Sequence, residues 1–267
     1  MCMSYEVIML EFEGKVAVVT GAARGIGRAT SLTLAERGAD ITAIDLREEM
    51  AIQAAKEVEA LGRKALAVPM DVSSSKSVAE GFAKIKETFG RIDILVNCAG
   101  IDIPGKLVDM SEENWDKTMN VNLKSVFLCA KAVAPIMMEQ KSGKIVSISS
   151  IAGKLGEDTQ GAYCCSKAGV GMLTQVLALE LAPYNITVNA VCPGKTETEM
   201  IRETAKRISK EQNVSLEEFE KMWLDAVPLH RYARPCEVAE LIAFLSSNKS
   251  DYITGISVTI AGGSLLY

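Results

Sequence analysis

Lys15-Val16-Ala17-Val18-Val19-Thr20-Gly21-Ala22-Ala23-Arg24-Gly25-Ile26-Gly27 is the stretch that decides how this 267-residue chain folds. Residues 15–20 are a short apolar, β-branched run, the composition of a buried strand. Residues 25–37 follow with helical spacing, and Gly38 stops them. The glycines between permit a tight turn and let a diphosphate approach the backbone. The helix N-terminus then supplies N–H groups and a partial positive charge. The turn stands between a strand and a helix, as such a site requires.

The same alternation continues to the end of the chain. Strands are expected at 41–45, 65–69, 93–96, 144–149, 187–191 and 257–260. Helices are expected at 48–61, 75–89, 115–140 (one long helix), 163–182 and 235–246. Apolar strands alternating with helices imply a parallel sheet covered on both faces. No break in composition and no repeat divides the chain, so residues 1–267 read as a single domain. Residues 197–228 are the irregular part: long, charged and helical in propensity. They follow a strand end, where doubly wound sheets place ligands. A long insert in that place reads as a helical lid over a substrate.

Composition narrows the function. The chain is 48% apolar and 24% charged, with a net charge of −5, which is ordinary for a soluble domain and offers no basic footprint for nucleic acid. No unbroken apolar run is long enough to suggest a membrane span. Residues 1–13 lack the form of a secretory signal and read as an extension before the first strand. Seven cysteines, an odd number with no CxxC pair, fit reduced thiols in a cytoplasmic protein. His230 is the only histidine. Two-histidine metal sites are therefore excluded, no metal is expected, and acid–base work falls to Tyr, Lys, Asp, Glu or Cys.

Tyr163 and Lys167 answer that description. At i and i+4 on a helix they share a face. A nearby ammonium favours the phenolate and should bring the tyrosine pKa down from about 10, making it an acid–base group near neutral pH. Asp45 ends the second strand, 18 residues after Gly27. An acid there can bind both ribose hydroxyls of an adenosine and repel a 2′-phosphate, which favours NAD over NADP. Arg24 and Arg47 stand close enough in sequence to neutralise a phosphate, so NADP stays open. The turn is not the GxGxxG of long-chain dehydrogenases, and without a following GK[ST] it is not a Walker loop.

Several motifs occur in an order that resembles the short-chain dehydrogenase/reductase family in its one-domain form, over roughly residues 12 to 263. Thr20 to Gly27 resembles the TGxxxGxG cofactor turn, and Tyr163 with Lys167 the YxxxK pair. Asp71-Val72 resembles the acid that binds near the adenine. Asn97-Cys98-Ala99-Gly100 resembles NNAG, with Cys98 in place of the second Asn. Asn122 resembles the helix asparagine of a proton relay. Ser150, 13 residues before Tyr163, resembles the catalytic serine, with Ser149 its rival. Pro193-Gly194 resembles the PG turn; Thr196 follows it where a branched aliphatic is common, and Thr198 matches the threonine that touches the nicotinamide amide or diphosphate. The resemblance implies a three-layer, Rossmann-like, doubly wound sheet of about seven parallel strands. It implies a catalytic set of Asn122, Ser150, Tyr163 and Lys167. It implies cofactor contacts from Gly21, Arg24, Gly25, Ile26, Gly27, Asp45, Asp71, Val72, Asn97, Ala99, Gly100, Tyr163, Lys167, Pro193, Gly194, Thr196 and Thr198. Departures from the pattern are Cys164 and Cys165 inside YxxxK, Ala261 in place of the Asp of a C-terminal DGG, and His230 where Gly is frequent.

Within that family the preferred reading is an NAD-dependent dehydrogenase of a small secondary alcohol, diol or polyol. A 3-oxoacyl-acyl-carrier-protein reductase is the alternative. Its acidic carrier needs a basic docking face, and of the two matching positions Lys141 is basic while Tyr184 is not. A hydroxysteroid dehydrogenase and a non-catalytic NAD-binding regulator are further alternatives. The family resemblance also implies a homotetramer, with helices 115–140 and 163–182 forming one interface and the C-terminal strand another.

Overall fold

A computed structural model describes residues 10–266. Residues 1–9 of the expected N-terminal extension, Cys2 among them, lie outside the described residues, as does Tyr267. Among the described residues, seven strands form one parallel sheet: β1 (Val16–Thr20), β2 (Asp40–Asp45), β3 (Ala65–Pro69), β4 (Ile94–Asn97), β5 (Gly143–Ile148), β6 (Ile186–Pro193) and β7 (Ser257–Ile260). Their order is β3-β2-β1-β4-β5-β6-β7. Every residue of β1, β4, β5 and β6 is buried, which is why these strands carry apolar residues on both faces rather than alternating with exposed polar ones.

The helices are α1 (Gly25–Glu36), α2 (Glu48–Glu59), α3 (Ser75–Phe89), α4 (Glu112–Met119), α5 (Ser125–Gln140), α6 (Gly161–Leu181), α7 (Glu199–Glu211), α8 (Leu216–Asp225) and α9 (Pro235–Ser246). Side-chain alternation along each strand sorts most of them into two layers. Ala17, Val19, Ile41 and Ala43 pack with Leu34 of α1, Val58 of α2 and Ile242 of α9. Val18, Ile44, Leu95 and Ile145 face the other way, against Phe82 of α3, Val133 and Met137 of α5, and Leu181 of α6. This is the expected three-layer doubly wound sheet. The strand order reverses between β1 and β4, and the crevice at their carboxyl ends is where such sheets take ligands.

The long helix differs from the sequence expectation at its start and in its middle. It begins at Glu112 rather than at 115, because Ser111 caps it by accepting a hydrogen bond from Asn114 N at 3.2 Å. It is also interrupted by a π-helical turn at Asn120–Lys124. Averaged over 18 residues, the whole stretch Glu112–Gln140 is long and apolar enough to cross a membrane, although it holds no unbroken apolar run. Here it carries the buried polar Asn122 and packs against α3, α6 and β5, as a layer helix of the fold. Residues 197–228 form α7 and α8. A capping box starts α8: Ser215 accepts from Glu218 N at 3.2 Å, and the Glu218 carboxylate accepts from Ser215 N at 3.1 Å.

Candidate active site

The glycine turn after β1 is built to be filled by something other than side chains. Gly21 and Gly25 take positive φ of 63° and 53°, which glycine adopts without strain. A Cβ on Gly27 would stand 2.1 Å from the Gly21 carbonyl oxygen. The N-cap of α1, Arg24, makes no side-chain capping bond, so the first N–H groups of α1 remain open to an anion. Thr20 closes the crevice floor. Its hydroxyl accepts from Cys98 N at 3.0 Å and Ala99 N at 3.1 Å, tying the ends of β1 and β4 together. Gly25 also faces Thr198, whose Cγ2 would lie 3.2 Å from an added Cβ. The segment after β6 is thereby brought against the turn.

The other expected cofactor positions line the same edge of the sheet. Asp45, partly exposed at the end of β2, accepts from Arg47 N through Oδ1 at 3.2 Å. Asp71 is exposed and its Oδ1 is taken by Ser73, at 2.9 Å from N and 2.7 Å from the hydroxyl, while Val72 beside it is buried. Asn97 donates to Ser147 at 3.1 Å, and its Oδ1 is buried without a partner. Thr196 is 5% exposed and its hydroxyl donates back to the Gly194 carbonyl at 3.2 Å. Arg24 pairs with Glu199 of α7, so its charge is already met by a carboxylate.

Asn122 sits in the π-helical turn, the kind of helix defect that recurs at functional sites. The turn points its side chain inward, where it is 1% exposed. Oδ1 accepts from Ile101 N at 2.8 Å, and Nδ2 donates to the Ile101 carbonyl at 2.8 Å and to Ser166 at 3.1 Å. A Cβ on Gly100 would stand 3.4 Å from Asn122 Oδ1 and 3.5 Å from Lys167 Nζ. A side chain on Gly100 would thus rest against both the amide and the ammonium.

Ser149 and Ser150 part company at the end of β5. Ser149 is 3% exposed and donates to the Lys167 carbonyl at 2.8 Å, which fastens α6 to the sheet. Ser150 accepts from Ala152 N at 3.1 Å and borders a cavity of about 250 Å³ together with Tyr163. Gly153 lets that turn lie against α6: a Cβ there would be 2.7 Å from the Lys167 carbonyl carbon.

Lys167 is buried and donates to the Ile148 carbonyl at 2.8 Å. Its Nζ lies 5.6 Å from the centre of the Tyr163 ring. The pair meets on one helix face as its spacing requires, but its electrostatics differ from the expectation. Burial pushes the Tyr163 phenol well above its ordinary pKa; the neighbouring Ser150 hydroxyl pulls it back, and Asp102 and Glu157 push it further up. Lys167 is not among the groups that move it. The ammonium is drawn to a carbonyl and lies over the ring face, and burial lowers its own pKa to about 8. The expected lowering of the tyrosine pKa is therefore absent from this arrangement.

The short-chain dehydrogenase family model matches residues 15–209, from β1 into α7. The chain belongs to the short-chain dehydrogenase family. FabG of Thermotoga maritima, a 3-oxoacyl-acyl-carrier-protein reductase, is 42% identical over 257 residues, covering 96% of this chain and 100% of the relative. The 2,3-dihydro-2,3-dihydroxybenzoate dehydrogenase of Bacillus subtilis is 40% identical over 257 residues, covering 95% and 97%. Among solved structures, NAD⁺-bound xylitol dehydrogenase superposes with a TM-score of 0.91 at 34% identity, covering 95% of this chain and all of that one.

As a short-chain dehydrogenase the chain is an oxidoreductase that uses a nicotinamide cofactor, and the open turn at Gly21 to Gly27 fits one. The structure also brings to the cavity residues that sequence reading passed over: Asp102, Glu157, Gln160, Lys195 and Trp223. The only available signal was position, since Glu157 and Gln160 fall between Ser150 and Tyr163 and Lys195 follows Pro193-Gly194. Among the described residues no group of His, Cys, Asp or Glu is placed to hold a metal ion. Cys164 and Cys165 are free thiols, the first pushed up in pKa by burial. His230 takes a positive φ of 49°, which accounts physically for a position where glycine is frequent.

Proposed function

We propose that this short-chain dehydrogenase is NAD(H)-dependent and interconverts a small secondary alcohol, diol or polyol with its ketone. The observation that carries the reading is the shared cavity of Ser150 and Tyr163, with Lys167 buried behind the tyrosine. Ser150 donates a hydrogen bond to the substrate oxygen and steadies charge developing on it. Tyr163 takes the hydroxyl proton in oxidation and returns it in reduction. Lys167 would hold the nicotinamide ribose, and Asn122 would position a water linking Lys167 to solvent. Bound NAD would supply the hydride acceptor; the protein supplies placement and electrostatics.

Asp45 supports NAD over NADP: one of its oxygens is held by Arg47 N, and the other is left for a ribose hydroxyl. The pairing of Arg24 with Glu199 removes one of the two cations that could have met a 2′-phosphate. Asp45→Ala is expected to raise KM for NAD about 10- to 100-fold, the worth of a charged hydrogen bond, while NADP gains relative to NAD. Initial rates over diols, polyols, hydroxy acids and acyl thioesters with each cofactor test both halves of the reading. A wild-type preference for NADP, or an Asp45→Ala protein with unaltered cofactor preference, refutes the role of Asp45.

One observation favours the second reading, the 42% identity to the carrier-protein reductase. Against it stand Asp45 and the replacement of one of two basic docking positions by Tyr184. Residues 197–228 act as the lid of a single domain spanning residues 1–267: Met200, Ile201 and Thr204 of α7 and Trp223 of α8 form one cavity wall. The protein assembles as a cytoplasmic homotetramer. The exposed stripe on α6, Met172, Val176 and Leu179, and the exposed Phe127 of α5 are apolar surface of the kind that subunit contacts cover.

A further inference from the structure

Four polar side chains converge on the cavity beside Tyr163 from separate segments. Asp102 comes from the loop after β4, Glu157 and Gln160 from the loop before α6, and Lys195 from the turn after β6. Gln160 donates to Asp102 Oδ2 at 3.1 Å, while Oδ1 of the same carboxylate has no partner. Lys195 donates to the Trp223 carbonyl at 3.0 Å and lies 5.0 Å from the centre of its ring. Glu157 and Lys195 are close enough for each to act on the other's charge. Both carboxylates also act on the Tyr163 phenol through their charge, and all three groups line the same cavity.

We propose that Asp102, Glu157, Gln160 and Lys195 form a recognition set for the hydroxyls flanking the carbon being oxidised, and that they select a neutral polyol. The inference rests on the alcohol-dehydrogenase reading above and deepens it. A carboxylate accepts hydrogen bonds and donates none, and an alcohol hydroxyl is the matching donor. Gln160 and Lys195 add donors for hydroxyl lone pairs. The wall carries two carboxylates to one ammonium, and that ammonium is already engaged with the Trp223 carbonyl. The balance disfavours a hydroxy acid anion. Arg207, which acts on Asp102, does not line the cavity and is paired with Glu211 at 2.9 Å. An acyl chain would have to cover both carboxylates without offering a hydrogen bond, which is costly. A site built to hydrogen-bond a hydroxyl discriminates strongly against an analogue that lacks it.

The test compares kcat/KM for a pentitol with those for the secondary pentanol and a hydroxy acid of equal chain length, with NAD and with NADP, in the wild type and in Glu157→Gln and Asp102→Asn. Both replacements keep the side-chain shape, and melting temperatures are followed in parallel. If Asp102→Asn does not fold, Glu157→Gln decides alone. The wild type is expected to favour the pentitol by about 100-fold or more. Each replacement should reduce that ratio about tenfold or more. A purely structural role would depress all substrates together and leave the ratio in place. An unchanged ratio, or a wild type that prefers the plain alcohol or a hydroxy acid, overturns the proposal while leaving the dehydrogenase reading intact. Oxidation of neither alcohol with either cofactor removes the underlying reading, and the recognition set falls with it.

Discussion

Tyr163→Phe is expected to lower kcat by about 10²- to 10⁴-fold, the usual contribution of a positioned acid–base group, while NAD binds nearly as before. The replacement removes one hydroxyl and keeps the ring over which Lys167 Nζ sits at 5.6 Å. Lys167 also keeps its bond to the Ile148 carbonyl, so its place in the site is preserved. The pH dependence has a definite sign. Burial holds the phenol protonated beyond its ordinary range, which suits it to donate a proton in ketone reduction near neutral pH. Alcohol oxidation needs the phenolate, whose fraction grows as pH rises, so the wild-type oxidation rate should climb with pH. The residual activity of the phenylalanine variant should lack that limb. Initial rates across pH, with a separate fluorescence titration of NAD, measure both quantities. An active variant with an unchanged pH profile rules Tyr163 out as the acid–base group.

The second large effect is structural and local. Gly27→Ala would put a methyl group 2.1 Å from the Gly21 carbonyl oxygen. Neither atom is the end of a flexible side chain, so the turn itself must open. Overpacking of this kind costs about 1–3 kcal/mol or more, which in a chain of this size lowers the melting temperature by roughly 3–10 °C. The displaced atoms are the turn that presents the N-terminus of α1, so NAD affinity should weaken by at least about tenfold. Gly62→Ala separates this from a general glycine effect. Gly62 has a φ of 78° but open space around it, at the end of α2 away from the cofactor edge. That change should cost about 1–2 kcal/mol of backbone strain and leave cofactor affinity alone. Thermal melts and NAD titrations of the two variants check the contrast. Equal cofactor loss in both would deny the turn its role.

What could be read from the chain follows from how local each feature is. The apolar runs of β1, β4, β5 and β6 were plain because both faces of each strand are buried. The meeting of Tyr163 and Lys167 followed from helix geometry alone. The π-helical turn at Asn120–Lys124 was not readable, since no residue pattern in it departs from an ordinary helix. The raised tyrosine pKa is not legible in the sequence because burial comes from neighbours distant in the chain, and the lysine, bonded to the Ile148 carbonyl, does not counter it. Asp102, Glu157, Gln160 and Lys195 arise from three separate segments. Their convergence is a product of the sheet order β1-β4-β5-β6, which no single stretch records. Arg24 read as a phosphate partner from its place in the turn; its partner Glu199 lies on a helix that only the fold brings near.

The central claim is hydride transfer from the carbinol carbon of a small alcohol to NAD. It is tested most directly by incubating the protein with NAD and a pentitol deuterated at its secondary carbinol carbons, then locating the label by NMR. The account predicts deuterium at C4 of the reduced nicotinamide, and none in the Tyr163→Phe protein over the same interval. Unlabelled nicotinamide with this substrate, together with NADPH-dependent reduction of a 3-oxoacyl thioester, would contradict it.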